Sequence, residues 1–370
     1  MSRDKPTRSG PAAVPSSAAA DATPQGDRGV DGATAARGAD AAVLEVDDLH
    51  VEFRSRRGTI RAVNGVSWSL ARGETLAILG ESGSGKSVSA QAVMGLIDSP
   101  PGFITGGQIR LHGTDLLTLG PEQQRRIRGE TIAMVFQDAL TALNPVFTVG
   151  WQIAETFRVH RGTRRRAAEE AAAELLGRVG IPSPRQRLRS YPHEFSGGMR
   201  QRAMIAMALA LDPEVLIADE PTTALDVTVQ AQIMDLLADV QEEFGMGLVL
   251  ITHDLAVVAE TADRVAVMYA GRIVEQGPVR EVFTDPAHPY TLGLMQSIPP
   301  LVRRRTRLEP IPGAPPNPAA IPSGCPFHPR CAFARPRCAT DEPPLERVTE
   351  GRASACHYRE EVRGDRDGDT

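Results

Sequence analysis

Thr75-Leu-Ala-Ile-Leu-Gly-Glu-Ser-Gly-Ser-Gly-Lys-Ser-Val-Ser-Ala90 is the stretch that decides the fold. Five apolar or β-favouring residues come first, as in a buried strand. Gly80-Glu-Ser-Gly-Ser-Gly-Lys-Ser87 then fits the pattern G-x-x-x-x-G-K-[ST]. A helical run carrying Val88, Ala90, Ala92, Val93 and Met94 follows. Strand, glycine loop and helix in that order build an anion cradle. The glycines let backbone N–H groups turn inward, and the helix adds the positive end of its dipole. The expected phosphate-binding set is Gly80, Glu81, Ser82, Gly83, Ser84, Gly85, Lys86, Ser87 and Val88. Lys86 would reach the β- and γ-phosphates, and the Ser87 hydroxyl would ligate Mg²⁺. The chain has only two lysines, Lys5 and Lys86, so a lysine retained here is informative.

Outward from the cradle, short apolar runs recur at 44–46, 51–53, 66–70, 108–111, 132–135, 215–218, 248–251, 265–268 and 272–275. Several are continuously apolar, as buried parallel strands are. Helical periodicity alternates with them. Ala168, Ala171, Ala172, Leu175, Leu176 and Val179 fall on one face of a helix over 165–179. Further helices are predicted over 199–211 and 229–244. The alternation predicts an α/β fold with a mostly parallel sheet. Strand signals vanish over about 138–195, which predicts an inserted helical subdomain.

Val215-Leu-Ile-Ala-Asp-Glu220 is an apolar strand that ends in two carboxylates. Asp219 would hold Mg²⁺, and Glu220 would act as general base on the attacking water. His253 follows another buried run, in Leu250-Ile-Thr-His-Asp254. Parallel strands place their ligands beyond their carboxyl ends, so His253 is expected at the same edge.

Composition sets the outer limits. The chain has 370 residues, 41% of them apolar, enough for a sizeable core. Its net charge of −5 gives no polybasic footprint, so nucleic acid is not an expected partner. No apolar run approaches the ~18–20 residues of a membrane span, and no secretory leader is expected. Residues 1–42 hold no aromatic residue and read as a disordered tail, as do 359–370. Between Pro299 and Pro344, 13 of 46 residues are proline, which predicts an extended segment in need of a staple.

The cysteines could supply it. Cys325, Cys331, Cys338 and Cys356 are the only four in the chain. Thiolates suit zinc or an iron–sulfur cluster, and the spacing alone leaves both open beside free thiols or disulfides.

Ser196-Gly-Gly-Met-Arg-Gln201, just before a predicted helix, resembles the signature loop of ATP-binding-cassette ATPases. Gln137, in Val135-Phe-Gln-Asp138, is similar to their glutamine loop, and Ala224-Leu-Asp226 to the loop after the catalytic glutamate. Leu143-Asn-Pro145, Ala218-Asp-Glu-Pro-Thr-Thr-Ala-Leu-Asp-Val227, His288-Pro-Tyr-Thr291 and the cysteine-bearing tail resemble the oligopeptide/dipeptide importer branch, D-type subunit. The likeness runs from about residue 43 to 358. Phe195, Met199 and Ala139 depart from the family's usual Leu, Gln and Pro, and none of the three removes a catalytic group.

The resemblance implies a cassette at 43–281, with a parallel-rich sheet, an antiparallel β subdomain and the helical insertion, and a transporter-type extension at 282–358. It implies ATP and Mg²⁺ as ligands, with Gln137 sensing Mg²⁺ and water, His253 holding the γ-phosphate and Phe53 stacking on adenine. Ser196, Gly197, Gly198 and Met199 would touch ATP on a partner subunit. It further implies a [4Fe–4S] cluster at the four cysteines, with zinc the alternative. The implied partners are a homologous second ATPase subunit in a heterodimer, two transmembrane permease subunits and an extracellular substrate-binding protein. The chain would sit peripherally on the cytoplasmic face of the membrane and energise peptide uptake. Nickel-chelate or glutathione-like cargo, a soluble ATPase of the same class and a non-hydrolysing regulatory cassette are the alternative readings. His288 and Tyr290 are expected to pack the tail rather than touch nucleotide.

Overall fold

The computed structural model describes residues 42–56, 58–223, 225–297 and 310–364. The expected tail over 1–42 lies outside these residues, Ala42 apart, and so do 365–370 and 298–309.

Among the described residues twelve strands follow in chain order: β1 (Leu44–Ser55), β2 (Gly58–Leu70), β3 (Thr75–Leu79), β4 (Gly102–Leu111), β5 (Thr114–Asp115), β6 (Ile132–Val135), β7 (Val215–Asp219), β8 (Gly247–Thr252), β9 (Arg264–Tyr269), β10 (Arg272–Pro278), β11 (Glu346–Thr349) and β12 (Arg352–Ser354). They form two sheets. One is antiparallel, in the order β2-β1-β4-β5. The other runs β11-β12-β10-β9-β3-β8-β7-β6 and is parallel from β9 to β6. Every residue of β3, β6, β7 and β8 is buried, which is why these segments read as unbroken apolar runs. The two runs at 44–46 and 51–53 are one strand. Asp47 and Asp48 interrupt the apolar pattern because they form a bulge, with Asp48 at φ 48°.

Between β6 and residue 195 the described chain holds only helices and turns. Helix Val149–Arg161 starts on Thr148, whose hydroxyl accepts from Trp151 N–H, and stops at Gly162, in the left-handed region at φ 61°. Helix Arg165–Arg178 buries Ala168, Ala172, Leu175 and Leu176 in the same cluster as Val149, Ile153 and Phe157. Burying that face, at ~25 cal/mol per Å² of apolar surface, holds the insertion against its neighbours.

The C-terminal segment is built into the cassette. β12 adds antiparallel to β10, pairing Ser354 with Glu275. The Arg352 guanidinium, 2% exposed, meets the fully buried Glu275 carboxylate at 3.0 Å. Helix Arg359–Gly364 stands where a disordered tail was expected. Val362 is buried beside Leu292 and Cys356, and Arg363 donates to Asp285 at 2.8 Å. No helix among the described residues is long and apolar enough to cross a membrane.

Candidate functional site

Strand register places the chemistry. In the parallel sheet Leu79 pairs with Thr252, Asp219 with Ile251, and Val135 with Ala218. The next residues along the four strands, Gly80, His253, Glu220 and Phe136–Gln137, therefore leave one edge at nearly one level. A cleft of about 730 Å³ opens there, lined by loop residues from Glu81 to Val88 together with Gln137, Glu220 and His253.

The glycines are required. A Cβ on Gly80 would stand 2.2 Å from the Met268 carbonyl oxygen. Gly85 sits at φ 104°, and its Cβ would stand 2.3 Å from the Ala62 carbonyl oxygen. Helix Lys86–Val93 starts from that turn. Lys86 is buried, and its Nζ donates to the Gly80 and Glu81 carbonyls at 2.8 and 3.0 Å. Burial lowers its pKa, opposed by the nearby carboxylates of Glu220, Asp219 and Glu81. The buried Ser84 Oγ has no protein partner, so the loop presents an unused polar atom.

Ser87 Oγ donates to Asp219 Oδ1 at 2.9 Å. Burial raises the Asp219 pKa, opposed by that hydrogen bond and by Lys86. A hydroxyl beside a carboxylate is a hard oxygen pair, the donor type Mg²⁺ takes. Glu220 is the most constrained residue of the edge. It holds φ 44°, a left-handed conformation rare for a residue with a side chain, and its N–H donates to the Ile251 carbonyl at 2.8 Å. One carboxylate oxygen accepts from Gln137 Nε2 at 3.0 Å and Thr223 Oγ1 at 2.9 Å. The other faces His253 Nδ1 at 3.5 Å. Phosphate loop, hard oxygen pair, oriented carboxylate and imidazole thus converge on one cleft.

One expectation falls elsewhere. Phe53 does not line the cleft. It packs against the core, with its ring edge over Gly102, and Ile60, Arg61 and Ala62 of β2 line the cleft instead. Ser196, Gly197, Gly198 and Met199, expected at a partner's ATP, lie outside this chain's own cleft. Ser196 caps helix Gly197–Leu209, its Oγ accepting from Met199 N–H at 3.3 Å, and Gly198 packs so closely on Val229 that a Cβ would approach it to 2.6 Å.

Two residues that hold the phosphate loop were not foreseen in these roles. Tyr290 Oη accepts from Glu81 N–H at 2.9 Å, and Arg330 forks onto the Glu81 carboxylate at 2.7 and 3.0 Å. The proline-rich segment also reaches the site, since Pro315, Pro316, Pro318 and Ile321 form part of the cleft wall.

All four cysteines line one small apolar cavity with Phe327 and Phe333. Burial pushes the Cys331 thiol up to about 12, Cys356 up to about 11, and Cys325 upward. Tyr358 N–H points at Cys356 Sγ at 3.4 Å. Among the described residues, however, no three His, Cys, Asp or Glu side chains are grouped to hold a metal ion. The expected metal site is therefore present as four clustered thiols and not as a converged ligand set.

Comparison with known proteins agrees with this edge. Residues 63–223 match the ABC transporter family, and residues 274–338 match the C-terminal region of oligopeptide/dipeptide transporters. A peptide import ATP-binding protein of Brucella abortus is 55% identical over 331 residues, 86% of this chain and 98% of that protein. The dipeptide transport ATP-binding protein DppD of Escherichia coli is 49% identical over 317 residues, 86% of this chain and 97% of that protein. Among solved structures, a dimeric post-hydrolysis state of the ATP-binding cassette MJ0796 bound to ADP and Pi matches with a TM-score of 0.58 at 27% identity. That match covers 64% of this chain and 99% of the cassette. With this edge, these two family regions and these relatives, the chain belongs to the ATP-binding-cassette ATPases, as an ATP-binding subunit of the peptide importer branch.

Proposed function

We propose that the cleft binds MgATP and that Glu220 drives its hydrolysis to power di- or oligopeptide import. The observation that carries this reading is the meeting of Lys86, Ser87, Asp219, Gln137, Glu220 and His253 at the carboxyl edge of one parallel sheet. The loop N–H groups and Lys86 would bind the β- and γ-phosphates. The oxygens of Ser87 and Asp219 would hold Mg²⁺, which when bound neutralises charge on those phosphates. Gln137 and Thr223 hold the Glu220 carboxylate by hydrogen bonds to one oxygen. Glu220 accepts a proton from water as the water oxygen attacks the γ-phosphorus. The bond from that phosphorus to the bridging oxygen breaks, ADP keeps the electron pair, and phosphate leaves. His253 donates to a γ-phosphate oxygen.

The signature residues lie outside the chain's own cleft, so they would act in trans. Ser196 and the Gly197 and Gly198 amides would meet the γ-phosphate on a homologous partner ATPase. This pair would dock on two transmembrane permeases at the cytoplasmic membrane face, with a substrate-binding protein delivering cargo outside. Binding ATP better in the closed dimer is what would let the ligand do mechanical work.

The four cysteines would hold a [4Fe–4S] cluster as a structural staple. Their common cavity and the N–H directed at Cys356 sulfur support this. A single zinc needs sulfurs about 3.8 Å apart, from Zn–S ~2.3 Å in a tetrahedron. A cube of four irons holds its thiolates farther apart, so metal analysis of the purified protein separates the two groups.

The test is ATP turnover by the assembled importer with Lys86 or Glu220 replaced. Turnover that persists unchanged in both variants would end the reading.

A further inference from the structure

The phosphate loop is gripped from outside the cassette core. Arg330 lies on the short turn His328–Arg330, between Cys325 and Cys331, and its side chain is 7% exposed. Nη1 and Nη2 donate to the two carboxylate oxygens of Glu81 at 2.7 and 3.0 Å. Nη1 also reaches Tyr269 Oη at 3.3 Å, and Nε donates to the Pro312 carbonyl at 2.9 Å. Glu81 is held at two further points. Its N–H donates to Tyr290 Oη, and its carbonyl accepts from Lys86 Nζ at 3.0 Å.

A fork of this kind fixes orientation as well as distance. An exposed arginine could tether the extension equally well, and burying a guanidinium is costly unless it is fully paired. Here the pairing is spent on the one phosphate-loop side chain whose backbone also meets Lys86. Extension, Glu81 and the Lys86 ammonium form one continuous chain of polar contacts.

We propose that Arg330 is a positioning residue for the phosphate loop, acting through Glu81, so that the C-terminal extension is part of the ATP-binding device. This rests on the cleft being the ATP site. A loop held in its binding shape loses less freedom when nucleotide arrives, so the brace acts on affinity more than on the chemical step.

The experiment uses the full chain titrated with MgATP by calorimetry, and steady-state ATPase kinetics of the assembled importer. Arg330→Met and Glu81→Gln are each expected to raise the MgATP Kd and the KM about tenfold, a typical coupling, and for Arg330→Met kcat should stay within about twofold. The double variant should bind no more weakly than either single one, because both remove the same pair. Thermal melting checks that each variant is folded. A folded Arg330→Met protein with wild-type Kd and KM would overturn the proposal, as would losses that add in the double variant. Should Arg330→Met not fold, Glu81→Gln decides, since the Glu81 side chain is 26% exposed and its replacement leaves no core cavity, and a wild-type KM there overturns it equally. Failure of the wild-type chain to bind MgATP would instead refute the ATP site itself.

Discussion

Replacing Glu220 by Gln perturbs one atom of the reaction and little else. The side chain keeps its volume, and the amide oxygen can still accept from Gln137 and Thr223, now at 3.0 and 2.9 Å from the carboxylate. What is lost is the ability to take a proton from water. A positioned general base contributes about 10²–10⁴-fold, which is about 2.7–5.4 kcal/mol of activation free energy. Nucleotide binding should not weaken. The Glu220 charge raises the pKa of neighbouring Asp219, so removing it eases ionisation of that carboxylate and removes a negative charge from an anion site. The assay is ATP turnover by the assembled importer at saturating MgATP, beside nucleotide binding by the full chain. The expected result is turnover down by at least about 10² with binding retained or tightened. Turnover within a few-fold of wild type, or loss of binding together with turnover, would refute the assignment of the base.

Other outcomes follow from the same geometry. Gly197→Asp, whose Cβ would meet only Leu225 at 3.6 Å, should leave MgATP binding by the full chain intact while slowing turnover of the assembled importer by about 10²-fold or more, because that loop serves the partner's nucleotide. Equal loss of binding by the lone chain would contradict a role in trans. Arg352→Met strands the buried Glu275 carboxylate, and should destabilise the fold by about 3–5 kcal/mol, read by urea unfolding. A change under about 1 kcal/mol would mean the pair does not hold the extension. Anaerobically purified protein should carry iron and inorganic sulfide with visible absorption, lost on Cys331→Ser. Stoichiometric zinc without iron would contradict the cluster.

The reacting edge was legible because buried parallel strands leave a plain trace. Each is a short apolar run; Asp219 ends one of them, and Gly80, Glu220 and His253 stand directly after three. Sheet order needed no further signal, since ligands gather at the carboxyl ends of such strands. Phe53 shows where that reading stops. Its face depends on register shifts in β1, one of them between Val51 and Glu52, and a one-residue slip sends a side chain to the opposite face. That information lies in hydrogen bonding and not in residue type. β11 and β12 were missed because they are only four and three residues long and the first is largely exposed, so they carry no apolar alternation. Arg330 was missed for another reason. It is one arginine among many in an arginine-rich chain, and its partner Glu81 lies 249 residues earlier.

Coupling is tested most directly by cargo accumulation in vesicles reconstituted with the complete importer, with ATP supplied on the side that carries this chain. Wild-type vesicles should accumulate peptide only with hydrolysable ATP, and Lys86→Ala vesicles should accumulate none. Accumulation at the wild-type rate with Lys86→Ala would contradict the account at its centre.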